Sequence, residues 1–409
     1  MPRNPSTGVY SKPAGTTPPS ARLSTRRSSG PACRRRYGWF LLPVRKDRIQ
    51  HHSPCSGWHI AIIVAATSNP PGDEMGYFIK RGKPIDSSRL KKDLNKQGSI
   101  AAARAFSEQI EKGALLEKCP ACGSSAHHKL LTVYGFDYNE CEGCGSAFVC
   151  NPPADEALSA AYRSDYYTEA QKVLYANDSI IDYRVAQVFT PKVEFAIEHS
   201  RASKKTWLDI GCGVGETLSV AKGHGYTILG LEPNVMQAEY AAKRFGVEVR
   251  QDYISKDTVS KYRGQYGVIS MFSVLEHVPD PNQILADVSA IQGEGDTLVI
   301  EVPHFPSIST MSQMTFPNHV NRMMHPPLHL FLFSLRALEG MLKRHGYKIN
   351  AAWLFGQDFY EMISTLGLLA PALNQSKLLS ALSPMMSDLQ AVIDNHDMSD
   401  EVLLVAERV

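Results

Sequence analysis

Along the second half of the chain, short unbroken apolar runs are separated by longer stretches in which apolar residues recur at helical spacing. The runs at 206–210, 226–232, 247–250, 266–272, 296–302 and 347–354 lack the apolar–polar alternation of a strand with one wet face, so they predict strands buried on both faces. Between them the period lengthens, and helices are predicted from Glu216 to Lys222, from Val235 to Phe245, from Pro281 onward and from Leu335 to His345. Further helical segments are expected at Ala154 to Arg163, at Ile180 to Ser200 and over the charged stretch Asp86 to Lys112. Residues 358–396 read as helical and apolar with breaks at Pro371 and Pro384, and Glu401 to Ala406 reads as a last strand. Strand and helix in alternation predict an α/β fold with a Rossmann-like sheet.

The first of these strands runs into Asp209-Ile210-Gly211-Cys212-Gly213-Val214-Gly215-Glu216, a strand-to-helix turn built on alternating glycines. Without Cβ atoms the turn lets a ligand approach the backbone, and the helix start offers unpaired N–H groups. A dinucleotide fingerprint would need a third glycine at 216, where the chain has Glu216. The second strand also closes on an acid, Glu232, placed where a carboxylate can accept ribose hydroxyls, and the third runs to Asp252.

The Asp209-x-Gly211-x-Gly213-x-Gly215 spacing resembles the first motif of the class I S-adenosylmethionine-dependent methyltransferases. That resemblance implies a seven-stranded sheet whose last strand inserts antiparallel beside the fifth, with residues 357–399 as an insertion in the final hairpin. It implies S-adenosylmethionine as cofactor, its methionine part wrapped by Asp209, Gly211, Cys212, Gly213 and Gly215. A carboxylate suits an ammonium and a sulfonium better than a pyrophosphate. Glu232 would then hold the ribose and Asp252 the adenine amino group. The stretch from Ser273 through Glu276-His277-Val278-Pro279-Asp280-Pro281 resembles the segment after the fourth strand in small-molecule methyltransferases of this class, which adds Ser273 to the cofactor residues.

Upstream, Cys119-Pro120-Ala121-Cys122 and Cys141-Glu142-Gly143-Cys144 are separated by eighteen residues. Two C-x-x-C pairs at this distance suit one tetrahedral zinc site, each pair on a tight turn and the chain between them folded as a hairpin. Gly123 and Gly145 follow each pair, where such a turn strains the backbone. Disulfides would require a secreted chain, and no signal peptide with an apolar core is visible. A closed four-thiolate site has no open position, so its expected role is structural. Cys33, Cys55, Cys150 and Cys212 remain as free thiols, and Cys212 is expected to serve the glycine loop by being small.

Charge divides the chain unevenly. Residues 1–72 hold eleven Lys or Arg against the single acid Asp47, so the remaining 337 residues, with 32 basic and 40 acidic side chains, carry −8 of a net +2. This Pro-, Ser- and Arg-rich leader shows no helical or strand period before Ile60 to Ala66, a run too short to span a bilayer. An over-extended reading frame ahead of Met75 fits the abrupt change in composition better than an organelle transit peptide, and residues 1–74 are expected to be disordered. The organisation expected is therefore a leader (1–74), a helical lead-in (75–112), a zinc ribbon (113–152), a helical cap (153–200) and the core (201–409), in a cytoplasmic protein unless the leader directs import. Tyr162, Tyr166 and Tyr167 in the cap are candidates to line a substrate pocket.

Methyl transfer from a sulfonium is an in-line displacement that needs an aligned acceptor and, for a hydroxyl or carbon acid, a base. His277, His304 and His329 follow strands whose carboxyl ends form the ligand edge of open α/β sheets. The four-cysteine module, Glu301-Val302-Pro303 and the His329-Leu330-x-x-Phe333-Ser334 run together resemble zinc-containing C-methyltransferases acting on nucleotide-linked keto-deoxysugars. There the proposed base lies in a Tyr-His-Glu-His run, which would make His329 the base and His277 the reserve. This chain has Pro326, Pro327 and Leu328 ahead of His329, so an O-methyltransferase for a sugar or another hydroxylated metabolite fits equally. An RNA methyltransferase is the competing class; the acidic balance of 73–409 and the lack of an N/D-P-P-Y/F motif after the fourth strand count against it. A cofactor-binding regulator without catalysis is the third reading. A small-molecule acceptor is the expected partner, with neither nucleic acid nor membrane.

Overall fold

The computed structural model describes residues 76–82, 96–164, 166, 169, 177–320, 322–370 and 377–409; the expectations for residues 1–74, Tyr167 and Pro371 lie outside them. The described strands are β1 (Phe78–Arg81), β2 (His127–Val133), β3 (Phe136–Cys141), β4 (Ala147–Val149), β5 (Thr206–Ile210), β6 (Thr227–Leu231), β7 (Val249–Arg250), β8 (Val268–Phe272), β9 (Thr297–Pro303), β10 (Phe331–Leu332), β11 (Tyr347–Phe355) and β12 (Glu401–Arg408).

Eight of them form one sheet in the order β1-β11-β12-β9-β8-β5-β6-β7. Every neighbouring pair is parallel except those made by β12, which runs antiparallel to both β11 and β9. Apart from β1, this is the expected Rossmann-like methyltransferase sheet with its last strand reversed. The core strands carry continuous apolar runs because both faces are covered: all of β9 is buried, and so is β5 from Trp207 to Ile210. Glu301 stays buried within β9 because the Lys192 ammonium reaches its Oε1 at 2.8 Å. Chain order reverses between β5 and β8, and the crevice at their carboxyl ends is where such sheets bind ligands.

Helix boundaries follow the sequence closely at Glu216–Gly223, Val235–Phe245 and Leu335–Arg344. Asp280 caps the helix Pro281–Ile291 by accepting from the Asn282 and Gln283 N–H groups, with Pro281 in the first turn. The cap helix at 178–199 is interrupted by a π turn at Val185–Phe189. The insertion before β12 contains the helices Asp358–Leu369, Lys377–Leu382 and Met386–Asn395. Among the described residues no helix is long and apolar enough to cross a membrane.

The second sheet, β10-β4-β3-β2, contains an element the sequence did not reveal. β2 to β4 are the ribbon hairpin, but β10 comes from the core and pairs antiparallel with β4, Phe331 opposite Phe148 and Leu332 opposite Ala147. The ribbon is thus sewn into the core by backbone pairing. A two-residue strand carries no readable period, which is why it was missed.

At the other edge, β1 is held by Trp353, whose indole Nε1 donates to the Gly82 carbonyl at 2.7 Å and whose ring lies 3.7 Å beneath the Lys80 ammonium. Trp353 is 2% exposed and packs on Phe195 and Phe355. Trp353→Ala should lower stability by about 3–5 kcal/mol, read as an earlier denaturant midpoint with β1 amides losing exchange protection first.

Candidate functional site

The glycine loop closes because two of its positions admit no side chain. Gly211 has φ +67°, and a Cβ there would lie 2.7 Å from Val274 Cγ2 in the loop after β8. Gly215 has φ +86°, and its Cβ would meet Ala241 Cβ at 2.8 Å, so the first two core helices can pack only across a glycine. Cys212 is buried and its thiol pKa is pushed far up by burial, in keeping with a packing role.

Asp209 ends a buried relay. The Trp207 indole N–H donates to Ser270 Oγ at 2.7 Å, and the Ser270 hydroxyl donates to Asp209 Oδ1 at 2.5 Å. Burial pushes the Asp209 pKa up to about 7, against the Ser270 hydrogen bond and with help from the charges of Glu232 and Glu216. Glu232 is fixed by backbone donors, Gly213 N–H to Oε2 at 2.9 Å and Asn234 N–H to Oε1 at 2.8 Å; burial nevertheless raises its pKa. Asp252 accepts from Lys261, Tyr262 and the Tyr253 N–H at 2.9–3.1 Å. Ser273 takes φ +53°, a left-handed conformation unusual for a residue with a side chain, and its N–H donates to the Glu301 carbonyl at 3.0 Å.

These groups face one cavity of about 1190 Å³. Asp209, Gly211, Cys212, Gly213, Glu232, Asp252 and Ser273 line it, whereas Gly215 stands behind the loop. Sequence reasoning missed Arg184, which pairs with Glu216 at 2.5 Å, and Phe189 from the π turn, because cap residues carry no motif. Acids outnumber cations on the wall, so the cavity favours a cationic ligand.

The three histidines separate. His277, in a short turn after β8, lines the cavity. Its Nδ1 lies 2.7 Å from the Leu328 carbonyl and 2.9 Å from Tyr162 Oη. A carbonyl only accepts, so the proton sits on Nδ1 and the lone pair on Nε2. Burial lowers its pKa to about 4, which keeps it neutral near pH 7. His329 lies behind it, ring centroids 4.8 Å apart, with Nδ1 3.0 Å from the Met323 carbonyl, and does not reach the cavity wall. His304 is 3% exposed, faces the Ser399 carbonyl at 2.9 Å and lies off the cavity, so its position gives it no access to an acceptor. Tyr162 lines the cavity, but Tyr166 stacks on Phe106 at 4.3 Å and turns its hydroxyl to His325.

At the ribbon, Cys119, Cys122, Cys141 and Cys144 bring four sulfurs within 4.8 Å of one another. Each knuckle closes in the same way, Gly123 N–H to Cys119 O at 2.8 Å and Gly145 N–H to Cys141 O at 2.7 Å, with both glycines at positive φ. Sulfur separations of 3.8 Å (Cys119 to Cys144) and 3.5 Å (Cys122 to Cys141) are far beyond a disulfide bond.

The raised pKa of Asp209 has a direct consequence for stability. Because ionising Asp209 is harder in the folded chain than in the unfolded one, its contribution to stability declines as pH rises from about 4 to 7 and is constant above. The stability of wild type relative to Asp209→Asn should fall by up to about 4 kcal/mol across that window, measured by urea denaturation at successive pH values.

Residues 181–352, less than half of the chain, match a family model described as a methyltransferase domain. The chain is 27% identical over 131 residues to the ubiquinone biosynthesis O-methyltransferase of Escherichia coli O9:H4, covering 31% of this chain and 54% of that protein. It is 34% identical over 87 residues to the protein of the same name from Escherichia coli O127:H6, covering 20% and 35%. The chain therefore spans about half or less of the curated relatives it matches. Among solved structures, a SAM-dependent methyltransferase from Archaeoglobus fulgidus aligns with TM-score 0.39 and 16% identity, over 59% of this chain and 100% of that one. Magnesium protoporphyrin IX methyltransferase from Synechocystis PCC 6803 aligns with TM-score 0.41 and 12% identity, over 62% and 100%. The chain thus has a Rossmann-like α/β methyltransferase fold, and its residues 181–352 are similar to a methyltransferase domain.

Proposed function

We propose that the chain transfers a methyl group from S-adenosylmethionine to a hydroxyl of a small-molecule acceptor. The observation that carries this reading is a single cavity lined both by carboxylates from three neighbouring strand ends and by a neutral imidazole. At about 1190 Å³ it exceeds the roughly 300–1,000 Å³ of a pocket for one small ligand, leaving room for donor and acceptor side by side. The name of the matched relatives supports oxygen as the accepting atom over carbon.

When bound, the cofactor supplies a methyl group on a positively charged sulfur, displaced in line by the acceptor. Asp209 and Glu232 furnish the negative field for its ammonium and sulfonium and acceptors for its ribose, Gly211 and Gly213 admit it to the backbone, and Asp252 sits at the adenine end. Ser273 borders the reacting end. The acceptor's proton leaves at the His277 end of the cavity, where a neutral imidazole lines the wall and His329 packs against the ring from behind. His277 thus takes the place that sequence resemblance gave to His329. The ribbon residues Cys119, Cys122, Cys141 and Cys144 would hold a structural zinc, since the edge of a tetrahedron with Zn–S bonds of about 2.3 Å matches their spacing.

Titration with S-adenosylmethionine should give binding heat, and Glu232→Gln should weaken it ten- to a hundredfold, about 1.5–3 kcal/mol. In a labelled-methyl screen of sugar, nucleotide-sugar and phenolic acceptors, His277→Ala should lower turnover by about 10²–10⁴ while cofactor affinity holds. No heat and no transfer with any acceptor would end this reading. For the ribbon, a thiol-reactive mercurial should release one zinc ion per chain into a colorimetric chelator, and Cys141→Ser should release none.

A further inference from the structure

Behind the cavity wall lies a group that methyl transfer alone does not explain. Glu276 is fully buried, yet among the described residues neither carboxylate oxygen has a hydrogen-bond partner. Burial pushes its pKa far up, and the nearby carboxylates Glu401 and Glu301 add to the effect. An unsatisfied buried carboxyl is costly, and native structures retain one where something else completes it.

What surrounds Glu276 is two imidazoles already set to donate lone pairs. Its Oε1 lies 3.7 Å from His277 Nε2, and a ligand atom of His329 lies within 4.8 Å of both. Both rings turn Nδ1 to a backbone carbonyl, His277 to Leu328 and His329 to Met323, so both carry the proton on Nδ1 and leave Nε2 bare. A metal-bound histidine is usually fixed in this way, its remote N–H held by a carbonyl. Further out, His325 turns Nε2 to the Tyr166 hydroxyl at 3.2 Å.

We infer that Glu276, His277 and His329 form a second metal site, distinct from the four cysteines, that binds one divalent first-row transition cation through one carboxylate and two Nε2 atoms. Two imidazoles and a carboxylate suit zinc, iron(II) or manganese(II) and leave coordination positions open. Bonds of about 2.0–2.2 Å require side-chain movements of about half an ångström from the present spacing. His277 lines the cavity while Glu276 and His329 lie behind its wall, so a cation held by all three sits at the back of that wall; with His277 Nε2 on the cation, an acceptor oxygen that coordinates would lose its proton to solvent rather than to His277. That use on an acceptor rests on the methyl-transfer reading; the site as a cation site does not.

The test uses the full chain with its thiolate site loaded with zinc, and manganese(II) as probe, because a hard cation does not compete for four thiolates. Free manganese is followed by electron paramagnetic resonance. About one ion per chain is expected to bind, with Glu276→Gln and His329→Ala each weakening binding at least tenfold while cooperative thermal unfolding is kept. Should either variant fail to fold, wild type still decides: bound manganese should broaden the imidazole proton resonances of His277 and His329 and leave sharp those of His224, which caps the far end of the helix Glu216–Gly223 at the opposite edge of the sheet. Binding no stronger than to surface carboxylates, or binding that neither variant weakens and that leaves those resonances sharp, overturns the site. Neither readout involves S-adenosylmethionine, so failure here is separate from failure of cofactor binding.

Discussion

The constraint on which the site depends is the concentration of negative charge at the carboxyl edge of the sheet without matching positive charge. Asp209, Glu232 and Glu301 are buried, and the nearby cations Arg184 and Lys192 are committed to Glu216 and Glu301. Asp209 therefore holds its proton up to about pH 7 in the empty protein. A cation in the cavity would reverse that preference, so ligand charge and Asp209 ionisation are thermodynamically linked. The fold supports the arrangement through the Trp207–Ser270–Asp209 relay, which joins β5 to β8 at the point where strand order reverses. Sheet geometry and site electrostatics are set by the same three side chains.

The ribbon contributes at a distance. Leu330 donates its N–H to the Glu276 carbonyl at 2.8 Å and accepts at its own carbonyl from the Val149 N–H at 2.8 Å. Tyr138 of β3 donates its hydroxyl to the His329 carbonyl at 2.8 Å, and Ser334 donates to the Cys144 carbonyl at 2.5 Å. A continuous set of hydrogen bonds thus runs from the four-cysteine knuckle through β4 and the segment 329–334 to the turn that carries Glu276 and His277. Ordering of the knuckle is therefore mechanically joined to the imidazole wall of the cavity.

Much of this was readable from the residues, for identifiable reasons. Doubly buried strands leave unbroken apolar runs, and the strands at 206–210 and 347–355 were accordingly placed to within a residue. Glycines at positive φ and acids at strand ends are fixed by local chemistry, so the cofactor loop and the cysteine knuckles were visible too. β1 and β10 are too short to show a period, and each is defined by a partner far away in sequence. The roles of the histidines were invisible because they depend on which carbonyl each Nδ1 meets: Leu328 for His277, Met323 for His329 and Ser399 for His304. Glu276 was part of a recognised motif, but its unpartnered carboxylate is a fact of three dimensions.

The insertion before β12 completes the argument. Arg322 donates to Asp400 at 2.5 Å and to Glu401 at 3.1 Å, tying the start of the histidine loop to β12. Asp400 also accepts from Ser309, and its N–H donates to Asp358, which in turn accepts from Gln390 of the last inserted helix. Burial raises the Asp358 pKa to about 8, with the neighbouring Asp400 charge adding to the effect, so this network contains more acid than base, as the cavity does. Asp358 and Asp400 are nevertheless held in place by backbone N–H, hydroxyl, amide and guanidinium donors from separate segments. The loop carrying His325 and His329 is pinned at its start by Arg322 on β12 and at its end by β10 on the ribbon. Two independent anchors on so short a segment fix where both Nε2 atoms lie, which a binding or proton-accepting role at that wall requires.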